Sequence, residues 1–171
     1  MIQRPELKEY PSYILRYLDL VKGGDVIKQL KEQGDETAVL LGSLSETMAM
    51  HTYEPGKWTI KEVLGHIIDT ERIMAYRALC FSRKESMALP GFDQDEYVEY
   101  GNFNERKISD IVKEFVTLRA SNIALFESFN QEQLLQIGSA NSREVSVRAL
   151  IYMIAGHEAH HINIIKEHYL P

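Results

Sequence analysis

The chain has 171 residues, of which 44% are hydrophobic and 26% charged, and its net charge is −6. That is enough polypeptide for a full apolar core, and residues 1–171 read as one domain. An acidic balance with no Lys/Arg tract argues against nucleic acid and against an anionic membrane surface as partners, because both are recognised by clustered cations.

The elements follow from hydrophobic spacing, taken in chain order. Residues 10–18 predict a short helix or turn with Ser12 as a possible cap. Gly23-Gly24 then breaks the chain and leaves Asp25 as an N-cap. Val26, Ile27, Leu30, Ala38, Leu41 and Leu44 give the first long helix, which Gly34 weakens slightly. A loop around Pro55-Gly56 follows. Thr59 with Glu62 forms a capping-box pattern at the head of a second helix that carries Ile60, Val63, Leu64, Ile67, Ile68, Met74, Ala75 and Leu79. Leu89-Pro90-Gly91 is a second loop, with a short helix expected near residues 94–100. A third long helix is expected over 104–129 and a fourth over 146–168, separated by a loop at 138–142. No hairpin dipeptide lies between alternating apolar runs, so strands are not expected. Four amphipathic helices with short extra N-terminal and loop helices describe an all-α four-helix bundle.

Cys80 is the lone cysteine, which excludes an internal disulfide and suits a reducing, cytoplasmic compartment. The N-terminal residues show no apolar signal region. No apolar stretch reaches the length of a membrane span.

The chemistry concentrates on histidine. His157 and His161 are four residues apart, so both imidazoles leave the same side of the fourth helix. His160 falls on the polar flank. His66 stands in the second helix, off the centre of the apolar stripe, on a flank shared with Thr59, Thr70, Ile73 and Arg77. Three imidazoles from two helices can hold one transition metal and leave a position open. The plainer alternative is that these are core or surface histidines without a ligand. Residues 157–161 also match His-Glu-x-x-His, with Glu158 where a general base stands, but no other protease signature accompanies the match.

Charges inside apolar stripes give a second expectation. Glu71, Arg119 and Glu158 each fall near the middle of a stripe, where an unpaired charge costs several kcal/mol. The economical arrangement is a buried Glu–Arg–Glu cluster with Arg119 between the carboxylates. Such a cluster either fixes helix register or places a carboxylate behind the histidines as a proton acceptor. Asp69 is a third acid near His66, on a more exposed face. Trp58 is expected to anchor its loop to the core.

The segment 55–72, with its Trp58-Thr59 pair leading to His66, together with the His157/His161 helix, resembles the DinB/YfiT-like superfamily over most of the chain. The resemblance implies a four-helix bundle, commonly a homodimer, with a metal held by His66, His157 and His161. Relatives with known activities use low-molecular-weight thiols such as bacillithiol or mycothiol. The expectation is therefore a metal-dependent enzyme that activates such a thiol (a thiol S-transferase) or water (a hydrolase) against an electrophilic small molecule. Zn²⁺ or Ni²⁺ suits the all-histidine set best, with Mn²⁺ or Fe²⁺ next. The alternative is a non-catalytic dimeric bundle with a structural or adventitious ion.

Overall fold

A computed structural model describes residues 1–170. The chain enters through two 3₁₀ turns and the short α1 (Leu15–Leu18), then forms α2 (Val26–Gly42), α3 (Glu46–Ala49), α4 (Ile60–Ser82) and α5 (Gln94–Gly101). It continues through α6 (Ile108–Glu127), α7 (Gln131–Leu134), a hairpin of β1 (Ile137–Ala140) and β2 (Arg143–Ser146), and α8 (Val147–Ile164), which ends in a π-turn over Ile165–Tyr169. No helix among the described residues is long and apolar enough to cross a membrane.

The helix starts follow their caps. Asp25 Oδ1 accepts from the backbone N–H groups of Ile27 and Lys28 at 3.1 and 3.3 Å. Thr59 and Glu62 close the expected capping box, with Thr59 Oγ1 accepting from the Glu62 N–H at 3.1 Å and the Thr59 N–H donating to Glu62 Oε2 at 2.8 Å. Each such cap satisfies N–H groups that the helix itself cannot, and is worth about 1 kcal/mol.

The long helices α2, α4, α6 and α8 form the bundle. α4 packs against α8 and α6, and α2 packs against α6 and α8, so the order around the bundle is α2, α6, α4, α8. Two of the links between successive long helices, α2 to α4 and α6 to α8, therefore join diagonal partners. This order makes α4 and α8 neighbours although 64 residues separate the end of one from the start of the other.

The core has two apolar ends. One is built on Leu18, Leu30, Phe81, Phe126 and Ile151, the other on Leu41, Ile60, Leu64, Phe115 and Ile165. On α4 the apolar run passes from Ile68 to Met74 across buried Thr70 and Glu71. On α8 it passes from Ala155 to Ile162 across buried His157 and Glu158. A polar layer thus crosses the bundle between the two apolar ends.

The segment 138–142, expected as a loop, is instead the centre of the β1–β2 hairpin, in which Gly138 pairs with Val145 and Ala140 with Arg143. Its two-residue turn, Asn141-Ser142, has φ of +51° and +58°, the left-handed pair that a tight hairpin requires. Asn tolerates this conformation and Ser does so less readily, so the pair lacks the glycine that marks most such turns. The third and fourth helices are also shorter than the spacing suggests. A 3₁₀ turn at Phe103–Glu105 precedes α6, and the π-turn takes over after Ile164.

The N-terminal segment is fastened to the head of α8. Buried Glu9 accepts from Ser146 Oγ at 2.8 Å and from Arg148 Nε at 2.7 Å, and pairs with the Arg148 Nη2 as well. Burial pushes the Glu9 carboxyl up, but the hydrogen bonds from Arg148, the backbone and Ser146 outweigh it and hold the group down at about 2. A carboxylate held below its unfolded value contributes stability above that value and loses it as the pH falls toward the folded value. Glu9→Gln is therefore expected to cost about 2–3 kcal/mol at pH 7. Urea unfolding at descending pH should show the gap to the parent chain narrowing from about pH 4.5 downward.

Candidate metal centre

The polar layer holds the three histidines. His66 leaves α4 one turn after Glu62, within the buried run Val63–Ile68, and His157 and His161 leave α8 one turn apart. Their Nε2 atoms converge. His66 Nε2 lies 3.0 Å from His157 Nε2, and His161 Nε2 lies 3.2 Å from the same atom. All three donor atoms fall within 4.8 Å of one another.

This arrangement is poorly served by hydrogen bonds alone. A neutral ring nitrogen offers one N–H or one lone pair in the ring plane. His157 Nε2 can therefore satisfy one neighbour well and not both. A cation among the three uses every lone pair at once, and tetrahedral Zn–N bonds would place the nitrogens about 3.3 Å apart. The donor set and spacing fit a divalent transition metal.

The surroundings favour neutral imidazoles. Burial pushes His66 down to about 4 and His161 down to about 3, with His66, His160 and Arg16 adding to the effect at His161. Burial and then the neighbouring imidazoles drive His157 well below the usual range. The rings are also fixed by contact. Trp58 lies 5.0 Å from His66 and Tyr17 lies 5.5 Å from His157, both as tilted ring pairs. Trp58 thus anchors its loop and walls the site together. Tyr17 can approach because residue 156 is glycine: a Cβ there would sit 2.0 Å from the Tyr17 carbonyl oxygen. His160 is half-buried, turned toward Tyr17 and outside the converging set.

Behind α8, on the side away from the histidines, Glu71, Arg119 and Glu158 come together. Arg119 donates from Nε and Nη2 to the two oxygens of Glu71 at 2.9 and 2.7 Å, and Nη2 lies 2.8 Å from Glu158 Oε2. Arg119 Nη1 donates to the Leu30 carbonyl at 2.9 Å, and Asn122 donates to Glu71 at 3.1 Å. Thr37 Oγ1 donates to Glu158 Oε1 at 2.7 Å, and Gln33 donates to the other oxygen. Burial opposes the Arg119 charge, but the two carboxylates raise its pKa further. Arg119 can reach α2 because residue 34 is glycine, where a Cβ would stand 3.2 Å from Nη1. The same glycine that lowers helix propensity makes room for the cluster.

Glu158 therefore spends its oxygens on Thr37, Gln33 and Arg119, while its neighbour His157 faces the other way. Asp69 joins neither group. It is half-buried beside Arg72 at 3.8 Å, and Arg72 in turn pairs with Glu114 at 2.7 Å. Burial raises the Asp69 carboxyl.

A cleft of about 380 Å³ opens against the centre, with His66 and His157 in its wall. Thr70, Met74 and Arg77 line it along α4, and Tyr13 and Tyr17 close it from the N-terminal segment. The sequence had placed Thr70 and Arg77 on the flank of His66 without giving either a role. Their common flank was the available signal.

The sequence profile of the DinB superfamily matches residues 29–165, and the chain belongs to that superfamily. It is 27% identical over 142 residues to a protein of Oceanobacillus iheyensis named "Putative metal-dependent hydrolase", covering 82% of this chain and 81% of the relative. Its fold is similar to that of YfiT from Bacillus subtilis, described as "a probable metal-dependent hydrolase with an unusual four-helix bundle topology". That match has a TM-score of 0.69 at 17% identity and covers 96% of this chain and 91% of the other.

Removing the cation from the buried cluster tests its structural weight. Arg119→Met leaves two carboxylates in the core without compensation and is expected to cost about 3–5 kcal/mol, measured by urea unfolding followed by circular dichroism.

Proposed function

We propose that this DinB-superfamily chain is a metal-dependent hydrolase in which His66, His157 and His161 hold one divalent transition metal. The observation that carries the reading is the convergence of three Nε2 atoms, two buried and one half-buried, at a spacing that suits a shared cation better than it suits hydrogen bonds. The name of the Oceanobacillus relative and the description of YfiT support the same activity class.

The residues define distinct tasks. His66, His157 and His161, kept neutral by burial, present lone pairs rather than N–H groups toward the ion. A divalent ion held by neutral imidazoles keeps its full charge and makes a bound water or thiol acidic enough to act as a nucleophile near neutral pH. Trp58 and Tyr17 limit the motion of the rings and keep bulk water from their faces. The cleft along α4 receives the substrate beside His66 and His157. Glu158 and Glu71 act as positioning residues: they hold α8 and α4 through Arg119 rather than accepting the substrate's proton.

Transfer to a low-molecular-weight thiol is the close variant. It needs a thiol from outside, because half-buried Cys80 does not line the cleft. Zn²⁺ and Ni²⁺ remain the favoured ions for three imidazoles.

Untagged protein titrated with Zn²⁺ or Ni²⁺ should take up one ion per chain. His66→Ala should retain its helical spectrum and bind the metal at least about tenfold more weakly, a loss of 1.4 kcal/mol or more. Uptake that is unchanged in His66→Ala, or absent in the parent chain, would remove the reading. Ester and amide hydrolysis assayed beside thiol transfer then separates the two variants, and a metal-loaded protein inert in both would be a bundle with a structural ion.

A further inference from the structure

The wall of the cleft contains a buried cation that no carboxylate pairs. Arg77 is 6% exposed, and no carboxylate lies within ion-pairing distance of it among the described residues. Its guanidinium donates to the Pro90 carbonyl at 2.7 Å and meets the Met74 sulfur at 3.7 Å. A guanidinium has five N–H donors, so these two contacts leave most of the fork unused. The other deeply buried arginines are treated differently. Arg119 has Glu71 and Glu158, and Arg148 has Glu9. Arg77 breaks the pattern, and it does so in the wall of the cleft that His66 and His157 also line.

A second group in the same wall is also incomplete. Thr70 is 3% exposed, and its Oγ1 is the one buried side-chain polar atom found without a hydrogen-bond partner among the described residues. A helical threonine ordinarily donates to the carbonyl one turn back. An orphaned hydroxyl in a core loses its hydration without recovering a hydrogen bond, and calls for a ligand or water. His66, Thr70 and Arg77 are four and seven residues apart, so at about 100° per residue they share one face of α4.

We propose that this wall is a subsite for an anionic group of the substrate, with Arg77 as its charged partner and Thr70 as a hydrogen-bond donor beside it. The planar guanidinium fork matches the oxygens of a carboxylate or a phosphate. The helix rise from His66 to Arg77, shortened by an arginine side chain that leans back toward Met74, puts the anion on the order of 10 Å from the histidines. The inference rests on the hydrolase reading for the reaction it serves. It names the substrate class: a small molecule with an oxyanion at one end and the hydrolysed bond at the other. Exposed Arg16 lines the same cleft and adds positive charge, with its guanidinium donating to Tyr17 Oη at 2.6 Å. Exposed Asp93 and Asp95 also line it, but Asp93 Oδ1 is occupied in capping α5, where it accepts from the Asp95 N–H at 2.9 Å.

The test is calorimetric titration of the metal-free full-length chain with inorganic phosphate and, separately, with acetate. The parent chain should bind at least one of them. Arg77→Met should weaken that binding about tenfold or more and Thr70→Val about threefold, while metal uptake stays at the parent level. Loss confined to phosphate assigns a phosphoryl substrate, and loss confined to acetate assigns a carboxylate. Equal affinity in the parent and Arg77→Met, or no binding of either anion by the parent, overturns the subsite. Should Arg77→Met fail to fold by circular dichroism, Thr70→Val carries the decision, and unchanged affinity there overturns it. Because the titration uses metal-free protein, a chain that binds an anion through Arg77 but takes up no metal keeps the subsite and loses only the hydrolase reading.

Discussion

The bundle depends on one buried cation. Arg119 comes from α6, takes carboxylates from α4 and α8, and donates to a backbone carbonyl of α2. All four long helices are thus tied at one height. Removing three charges from water is expensive, and such clusters seldom add net stability over an apolar core of the same shape. Their value lies in direction. An apolar interface lets a helix rotate or slide by part of a turn at small cost, whereas a bidentate ion pair does not. Glu158 adjoins His157 in α8, and Glu71 lies five residues beyond His66 in α4. Fixing the carboxylates against Arg119 therefore fixes the height and rotation at which the imidazoles of the two helices meet.

The burial that makes the cluster costly also sets the state of the histidines. Imidazolium is disfavoured in the polar layer for want of water, and each neighbouring imidazole disfavours it further. Neutral rings have lone pairs to give. A core that only needed to be filled would gain nothing from three such rings facing one another, since their nitrogens cannot all be paired. The surrounding glycines support the same conclusion. Gly34 admits Arg119 and Gly156 admits the Tyr17 backbone, so α2 and α8 each give up helix propensity to build the two polar groups.

Much of this was legible in the residues. Hydrophobic spacing and capping patterns located the four long helices, because burial against a common core imposes the 3.6-residue period. Glu71, Arg119 and Glu158 could be grouped because charges in apolar stripes must find each other. His66 looked misplaced on its helix because a wheel assumes one buried stripe. α4 instead faces two neighbours, α6 and α8, with a cleft beside them, and nearly its whole circumference is covered along its first half. The hairpin escaped notice because its turn is Asn141-Ser142, and left-handed serine has no sequence signature of its own. Arg77 and Thr70 were visible as residues but not as incomplete ones, since no spacing rule shows that a side chain lacks a partner.

That distinction separates the two sides of α8. Behind it, Glu158 has Thr37, Gln33 and Arg119, Glu71 has Arg119 and Asn122, and every buried charge is answered. In front of it, the shared nitrogen of His157 has more neighbours than it can bond, the Thr70 hydroxyl has none, and Arg77 has no counter-charge. A folded chain can leave few buried polar groups unsatisfied, because each draws on a total stability of only some 5–15 kcal/mol. Random lapses of packing would scatter such groups through the core. Here they line one cleft, and each lacks a different thing: a cation for the imidazoles, an acceptor for the hydroxyl, an anion for the guanidinium. Those deficits have the shape of a metal ion with an anionic molecule lying beside it.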